Sequence, residues 1–572
     1  MTTSEARQAP RDGLTWTDPG RMERYRSRVS AERDRLRAAF ADPAGHQRRV
    51  LEDLLAFNAG TAYGRAHGFA RVRTLDDWRA AVPVQDYSGL APWIERAAAG
   101  EENVLTADRP AVFFTSSGST GAHKKIPVTP RFMRTTFFPF YYAAWAPLIE
   151  HFPDVLARPD AVLNLKHDPI AAPPTTASGR PHVGASQVDF GARFGEPLSA
   201  EPGTAAPWGT LPIEVDAGAH LDKMYLRLRL AVESDVRCVI GINPAMVAAL
   251  PHQLNLWWER IVREVRDGTL GGHPHCQPNP GRARELERLA ERFGRIRPAH
   301  VWPRMRALFC WTTGVASLYL PRLREEFGPG VTVLPAPVAA SEGPTGVALD
   351  RHPSAGSLVV TASVYEFADA DRDLTPDVAT LRPHELEVGR DYHTVFSHVG
   401  GLYRYAVGDV VRVVDREGGV PRLEYTGRST LSDAAGERLR DAQVLRALTT
   451  ALAAGGLELR NVACRVTPDL HGPHNLPAYQ FALASAIPWS TAETDTFLTR
   501  LDRALALESP GYRHARTHLR LGAPTALPLH PDAFLDDWHA TVASGVRPTQ
   551  VKDRLFRQDP AQWQRLTDGN GS

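Results

Sequence analysis

The segment RARELERLAERF, residues 282–293, spaces Leu286, Leu289, Ala290 and Phe293 three and four positions apart, so they share one helix face, and Gly294 stands where that helix should stop. A continuous apolar run, ALFCWT, follows at 307–312; it is short, and its residues suit a covered strand. The same alternation runs through most of the chain. A charged helical pattern covers 18–59, strand-like runs lie at 111–114, 331–334, 357–360 and 410–414, and turn residues separate them. Helices alternating with short apolar runs predict an α/β fold. After the Gly/Pro-rich interval 416–421 the pattern changes, and from about residue 432 the predicted order is helix (441–454), strand (461–466), strand (479–485), helix (492–507) and strand (518–521). That is a compact α+β domain of its own. Residues 1–15 are polar and read as a disordered tail.

Composition narrows the function classes. At 572 residues the chain exceeds one ordinary core, which agrees with a large multi-subdomain domain plus a smaller one. Lys+Arg 66 against Asp+Glu 65 leaves a net charge of +1, so no global field draws nucleic acid or an anionic membrane, and neither is expected as a partner. The four cysteines (Cys238, Cys276, Cys310, Cys464) lie far apart without CxxC spacing, which predicts neither a disulfide framework nor a cysteine zinc site. With no apolar segment near the N-terminus, a cytoplasmic protein is expected, as a monomer or weak dimer. Lysine is scarce: of the 66 basic residues only Lys124, Lys125, Lys166, Lys223 and Lys552 are not arginine. A lysine is therefore expected, more often than usual, to mark a place where a compact ammonium serves and a planar guanidinium does not.

Three constellations carry chemistry. The strand-like run at 111–114 leads into Ser116, Ser117, Gly118, Ser119, Thr120 and Gly121, a turn of little bulk whose amides and hydroxyls can converge on an anion, with Lys124 or Lys125 adding charge. The GxxxxGK[ST] spacing of a Walker A loop is absent, and a Ser/Gly loop is also an ordinary surface connection. In VAASEG (338–343), Glu342 beside Gly343 follows a strand end, where a carboxylate can hold magnesium between protein and polyphosphate; a solvated loop glutamate is the plainer reading. In GLYRYAVGD (401–409), Asp409 enters the strand VVRVV, where its two oxygens suit the paired hydroxyls of a ribose or a turn cap.

In this order the three motifs, SSGSTGAHKKIP, AASEG and GLYRYAVGD, resemble those of the auxin-responsive acyl-acid amido synthetases, members of the adenylate-forming superfamily. VPVQDYSGLAPWIERAAAGEENVL and WPRMRALFCWTTGVASLYLPRL are similar to the family's lead-ins to the first two motifs, and the likeness covers roughly residues 36–556. The resemblance implies that Ser116, Ser117, Gly118, Ser119, Thr120 and Gly121 cradle the ATP phosphates with Lys124 nearby and Ser341 and Tyr403 lining the nucleotide site. It further implies that Glu342 binds Mg2+ and Asp409 the ribose. YTGRSTLSDAAGERL resembles the family's hinge region, with Arg428 facing the nucleotide; this sets a large domain at 16–427, a hinge at 428–433 and a small mobile domain at 434–572. SGVRPTQVKDRLF resembles the closing segment, whose lysine is Lys552. Three of the five lysines thus fall where the family needs an ammonium, a check independent of the motifs. Val338 departs from the pattern, because the family commonly has an aromatic there against adenine.

The resemblance implies a two-step ligase. A carboxylic acid is adenylated by ATP with release of pyrophosphate, helped by Lys552 and Glu342, and an amine or amino acid then takes the acyl group as an amide. Alternatives are a thioester-forming ligase of the same superfamily and a nucleotide- or acyl-binding protein without turnover. His398 and His123 are candidates for the proton acceptor in the second step. His273-Pro274-His275-Cys276 lacks a second ligand pair, Trp257 and Trp258 read as core or pocket wall, and Lys166-His167-Asp168 as a solvated loop that could also line an acyl site.

Overall fold

A computed structural model of the chain describes residues 19–117, 123–168, 170, 173–195, 202–468 and 476–568. The expected tail at 1–15 and Gly118, Ser119, Thr120 and Gly121 lie outside them. Local signals place the breaks. The charged pattern at 18–59 is two helices, Pro19–Ala39 and Pro43–Asn58, because the Asp42 carboxylate accepts the Gly45 amide at 2.9 Å and Pro43 takes a first-turn position whose N–H would be orphaned anyway. The long helix Pro244–Asp267 is set the same way, with Asn243 capping Ala245 at 3.1 Å and a left-handed Gly268 at its end.

Four parallel strands, Val162–Asn164, Cys238–Ile240, Ala307–Cys310 and Thr332–Pro335, lie side by side in that order. Their residues alternate between two cores: Val162, Cys238, Ile240 and Phe309 face one, Leu163, Val239 and Leu308 the other. Both faces are covered, which is why these strands read as continuous apolar runs. A seven-stranded antiparallel sheet follows, in the spatial order Val338–Ala340, Gly343–Val347, Gly356–Leu358, Val420–Arg428, Leu402–Glu417, Asp391–His398, Val364–Asp369. Inside this part the Arg404 guanidinium is buried against Glu366 at 2.9 and 3.1 Å and donates to the Val82 carbonyl at 2.9 Å, so a costly buried ion is fully bonded.

Beyond Arg428 the chain forms the α+β unit expected from its pattern. Asn461–Pro468 pairs antiparallel with Pro477–Ala484, which pairs parallel with Thr525–Leu529, and helices Asp441–Gly455 and Thr491–Glu508 contribute to the same core. The expected strand at 518–521 is instead a turn after a helix, Pro510–Thr517, and Leu519 in it has φ +52, outside the extended region. Helix Ala533–Ala543 then returns to the large domain, burying Leu535, Trp538 and Val542 in the core on one face of the parallel sheet. The strap after it is held at two points. The Asn243 side chain donates to the Val551 carbonyl, and Leu555 and Arg557 bond the backbone of Cys464 at 2.7 and 2.9 Å on the small sheet. No helix among the described residues is long and apolar enough to cross a membrane.

Candidate active site

The carboxyl ends of the parallel strands form a crest, the place where ligands of open α/β sheets bind because loops diverge there. Trp311 follows Ala307–Cys310 on this crest, and Glu342 closes the hairpin that follows Thr332–Pro335. Glu342 is buried at 3% exposure; its Oε1 accepts the Tyr405 hydroxyl at 3.3 Å and its carbonyl is bonded by His398 Nε2 at 2.8 Å. A Cβ on Gly343 beside it would stand 3.3 Å from the Phe396 ring, closer than most side chains pack. The Ser341 hydroxyl reaches the Thr115 carbonyl at 3.5 Å and so ties this hairpin to the strand Val112–Ser117, in which Ser116 pairs with Lys124 and Ser117 with His123.

Asp409 follows Gly408, whose φ of +82 turns the chain where a side chain would be strained. Its Oδ1 accepts Arg428 at 2.6 Å, and that pair raises the pKa of the guanidinium further. The two lysines of the first motif separate. Lys124 Nζ lies 5.5 Å over the Tyr87 ring, a phenol whose pKa is raised by burial, by Glu95 and by Glu342, whereas Lys125 is paired with Glu95 at 2.6 Å. Lys124 thus rests on Tyr87, which lies within electrostatic reach of Glu342, and Lys125 on Glu95.

Lys552 arrives on the strap. Its ammonium lies 4.8 Å over the Trp311 ring, and the protein mass around this cleft lowers its pKa even though the residue is exposed at the mouth. Arg428 and Arg554 push the pKa the same way, while Asp409 and Glu342 pull it up. Next to it, Asp553 accepts the Tyr319 hydroxyl and Arg557 at 3.0 Å, and its own carboxyl is pushed up by burial. Tyr319 belongs to the large domain and Arg557 to the strap, so the aspartate pins the lysine's neighbour to both.

The structure therefore brings together Glu342, Ser341, Asp409, Arg428, Lys124 and Lys552. It does not bring in Tyr403. That side chain is wholly buried, stacks on Tyr63 at 4.8 Å and donates to the Leu105 carbonyl. Between Tyr403 and Tyr405, Arg404 has φ +40 and the strand register shifts, which breaks the two-residue alternation, and Tyr405 is the tyrosine that meets Glu342. His398 is no free base either. Its Nδ1 accepts the Gly400 amide at 3.1 Å, so Nε2 carries the proton donated to Glu342, and burial pushes its pKa down to about 4. The side chain of His123 lies outside the described residues.

Trp311, Tyr405, Tyr87 and Asp553 are missed by sequence reasoning. Only Tyr405, inside GLYRYAVGD, carried a local signal. Val338 is half-buried in its hairpin with a bulge directly after it, and no aromatic replaces it at that position. Trp258 lies in the core and Trp257 packs edge-on to Tyr225 at 5.5 Å, while His273 and Pro274 pair with Leu270 and Thr269 in a two-residue antiparallel ladder. Lys166 is buried rather than solvated.

The profile of the GH3 family N-terminal domain matches residues 32–333, and that of the GH3 family central domain matches 356–428. The chain is 27% identical over 453 residues to the probable indole-3-acetic acid-amido synthetase GH3.12 of Oryza sativa subsp. japonica, covering 70% of this chain and 72% of that protein. It is 24% identical over 430 residues to the jasmonoyl--L-amino acid synthetase JAR6 of Nicotiana attenuata, covering 67% and 69%. Among solved structures, GH3.15 acyl acid amido synthetase superposes with a TM-score of 0.76 at 20% identity, over 94% of this chain and 96% of that one, which supports a shared fold. With one profile spanning more than half of its length and a second following in order, the chain belongs to the GH3 family.

Proposed function

We propose that the protein is an ATP-dependent acyl-acid amido synthetase that adenylates a carboxylic acid and passes the acyl group to an amine or amino acid. The observation that carries this reading is the placement of Lys552, held over Trp311 within the electrostatic reach of Glu342, Asp409 and Arg428. A mobile ammonium beside a ribose-type carboxylate and a buried glutamate fits attack of a carboxylate on an α-phosphorus, because it can balance charge on both oxygens as they approach. The serine-rich turn with Lys124 supplies donors for phosphate, and Asp409 with Arg428 holds the nucleoside end. In the second half-reaction, movement of the small domain about 428–433 would pull the strap through its bonds to Cys464, drawing Lys552 off Trp311 and admitting the amine.

The residues fit Mg2+ in the form it takes with nucleotides. Among the described residues no group of three or more His, Cys, Asp and Glu could hold a metal alone, and Mg2+ binds through one or two carboxylates plus substrate phosphates, which is what Glu342 offers. When bound, the ion would neutralise phosphate charge; Tyr405 and the backbone bond from His398 keep the glutamate aimed. The relatives named for indole-3-acetic acid and jasmonoyl amino acids point to carboxylic acids with cyclic bodies as first candidates. The free cysteines fit a cytoplasmic setting where ATP is available, and we expect a monomer or weak dimer on gel filtration.

The test is acid-dependent ATP–pyrophosphate exchange over aryl, indolyl and fatty acids, followed by product analysis with amines against coenzyme A. Amide with AMP release is expected. Exchange silent with every acid, or thioester as the sole product, overturns the reading.

A further inference from the structure

Two of the five lysines, Lys166 and Lys223, have no place in the nucleotide site, and both line a small cavity apart from it. It holds about 20 Å3, room for a small polar head group in place of a water and too little for a side chain. Arg227 and Arg547 complete a wall of four basic side chains against one carboxylate, Asp168. Asp168 accepts Lys223 at 3.2 Å and Arg227 at 3.3 Å. Lys166 bonds the Tyr141 hydroxyl at 2.6 Å and Arg547 bonds Gln187 at 2.5 Å; Arg227, 6% exposed, keeps a buried Nε without a hydrogen-bond partner among the described residues. His220 and His167 face the same group, and burial lowers the pKa of each. Positive charge so far from solvent and in such excess is unfavourable without an anion.

Position says which anion. Lys166 lies just past Val162–Asn164 on the crest of the parallel sheet, and Trp311 lies past the strand two places over, about 10 Å away at the usual strand spacing. Arg547, Pro548 and Thr549 come from the strap, three to five residues ahead of Lys552. We propose that this cavity seats a substrate carboxylate other than the one that is activated, and that its occupancy holds the strap down. The proposal rests on the amido-synthetase reading and assigns its second charged recognition point. Two sources share this chemistry: the α-carboxylate of an amino acid acceptor, and a distal carboxylate on the acyl acid.

Paired substrates separate them. Alanine is compared with alaninamide as acceptor, and octanedioate with octanoate as acid, in wild type, Lys223→Gln, Arg227→Gln and Arg547→Gln. The expected result is a kcat/KM lowered tenfold or more for the charged member of one pair, with the neutral member within twofold; the pair that responds identifies the source. Equal changes in both members of both pairs overturn the proposal. Arg547→Gln, on the strap, remains informative if the two buried variants fail to fold. If no acid supports exchange and the functional reading itself fails, thermal protection decides. Alanine or octanedioate raising the melting temperature of wild type above its neutral partner, and not that of Arg547→Gln, supports the cavity, and absence of that difference overturns it.

Discussion

Trp311→Leu isolates the contact that places Lys552. Leucine keeps an apolar side chain of useful size on the crest and removes the ring face 4.8 Å beneath the ammonium. A cation over an aromatic is worth about 1 kcal/mol where the cation still meets solvent, as Lys552 does at the cleft mouth, and about 2 when fully desolvated. Taking about 1 kcal/mol, the rate of acid-dependent pyrophosphate exchange should fall roughly fivefold. The KM for ATP should hold, because Asp409, Arg428 and Lys124 are untouched. Trp311→Phe, which keeps a smaller ring, should fall less. Lys552→Ala should leave the fold intact and cost a hundredfold or more, on the order of losing a preorganised donor to the transition state. Exchange that is undiminished in Trp311→Leu, or lowered as far as in Lys552→Ala, would refute the reasoning that the ring positions the ammonium without itself taking part in the reaction.

Arg428→Gln removes the largest charge that lowers the Lys552 pKa below its ordinary 10.5 and frees Asp409 to raise it. Since the protonated ammonium is the active form, the alkaline limb of the exchange rate should move to higher pH even as the rate drops, read from a pH–rate profile. Asp441 sits at the start of helix Asp441–Gly455 with its pKa raised by burial from 3.8 to about 6. The folded state therefore holds an extra proton between these values, and stability is lost as pH rises through them. Asp441→Asn should match wild type near the acid end of that window and exceed it above pH ~6.5 by about 1 to 2 kcal/mol, allowing for solvent screening, in paired thermal melts. Glu366→Ala strands the buried Arg404 guanidinium and should cost about 3–5 kcal/mol, seen as a lower urea midpoint, whereas Glu366→Leu with Arg404→Met should recover much of it.

What was legible in the sequence depended on how local its cause was. The helix stop at Gly294, the strand runs that became Ala307–Cys310 and Thr332–Pro335 and the order of motifs are set within a few residues of themselves, and reading them needs no tertiary information. Tyr403 and Tyr405 show where this ends. Two-residue periodicity puts them on one face, but Arg404 is drawn into its pocket by Glu366, Val82 and Arg79, residues roughly 40 to 325 positions away, and its left-handed backbone undoes the period. The strap was hidden for the same reason. Nothing near Lys552 says that Asn243 and Cys464, on two different domains, hold the backbone to either side of it.

Lysine scarcity reached further than any window, because it is a property of the whole chain. Where arginine has taken nearly every solvated cationic position, the ammonium is left to sites that need one rotatable donor cluster or tolerate its neutral form. Lys166 fits the second case, bonded to the Tyr141 hydroxyl and pushed down to about 7 by burial, a change of charge no arginine could undergo there. Lys125 is the exception that limits the argument. It forms a plain ion pair with Glu95 at the surface, one place from Lys124 and facing away from it, so an arginine could serve. Rarity therefore identifies a segment worth inspecting, and geometry decides which lysine in it matters. Lys125→Arg should leave exchange unchanged while Lys124→Arg should impair it, because only the second must fit its charge between the Tyr87 ring and the phosphates we place there.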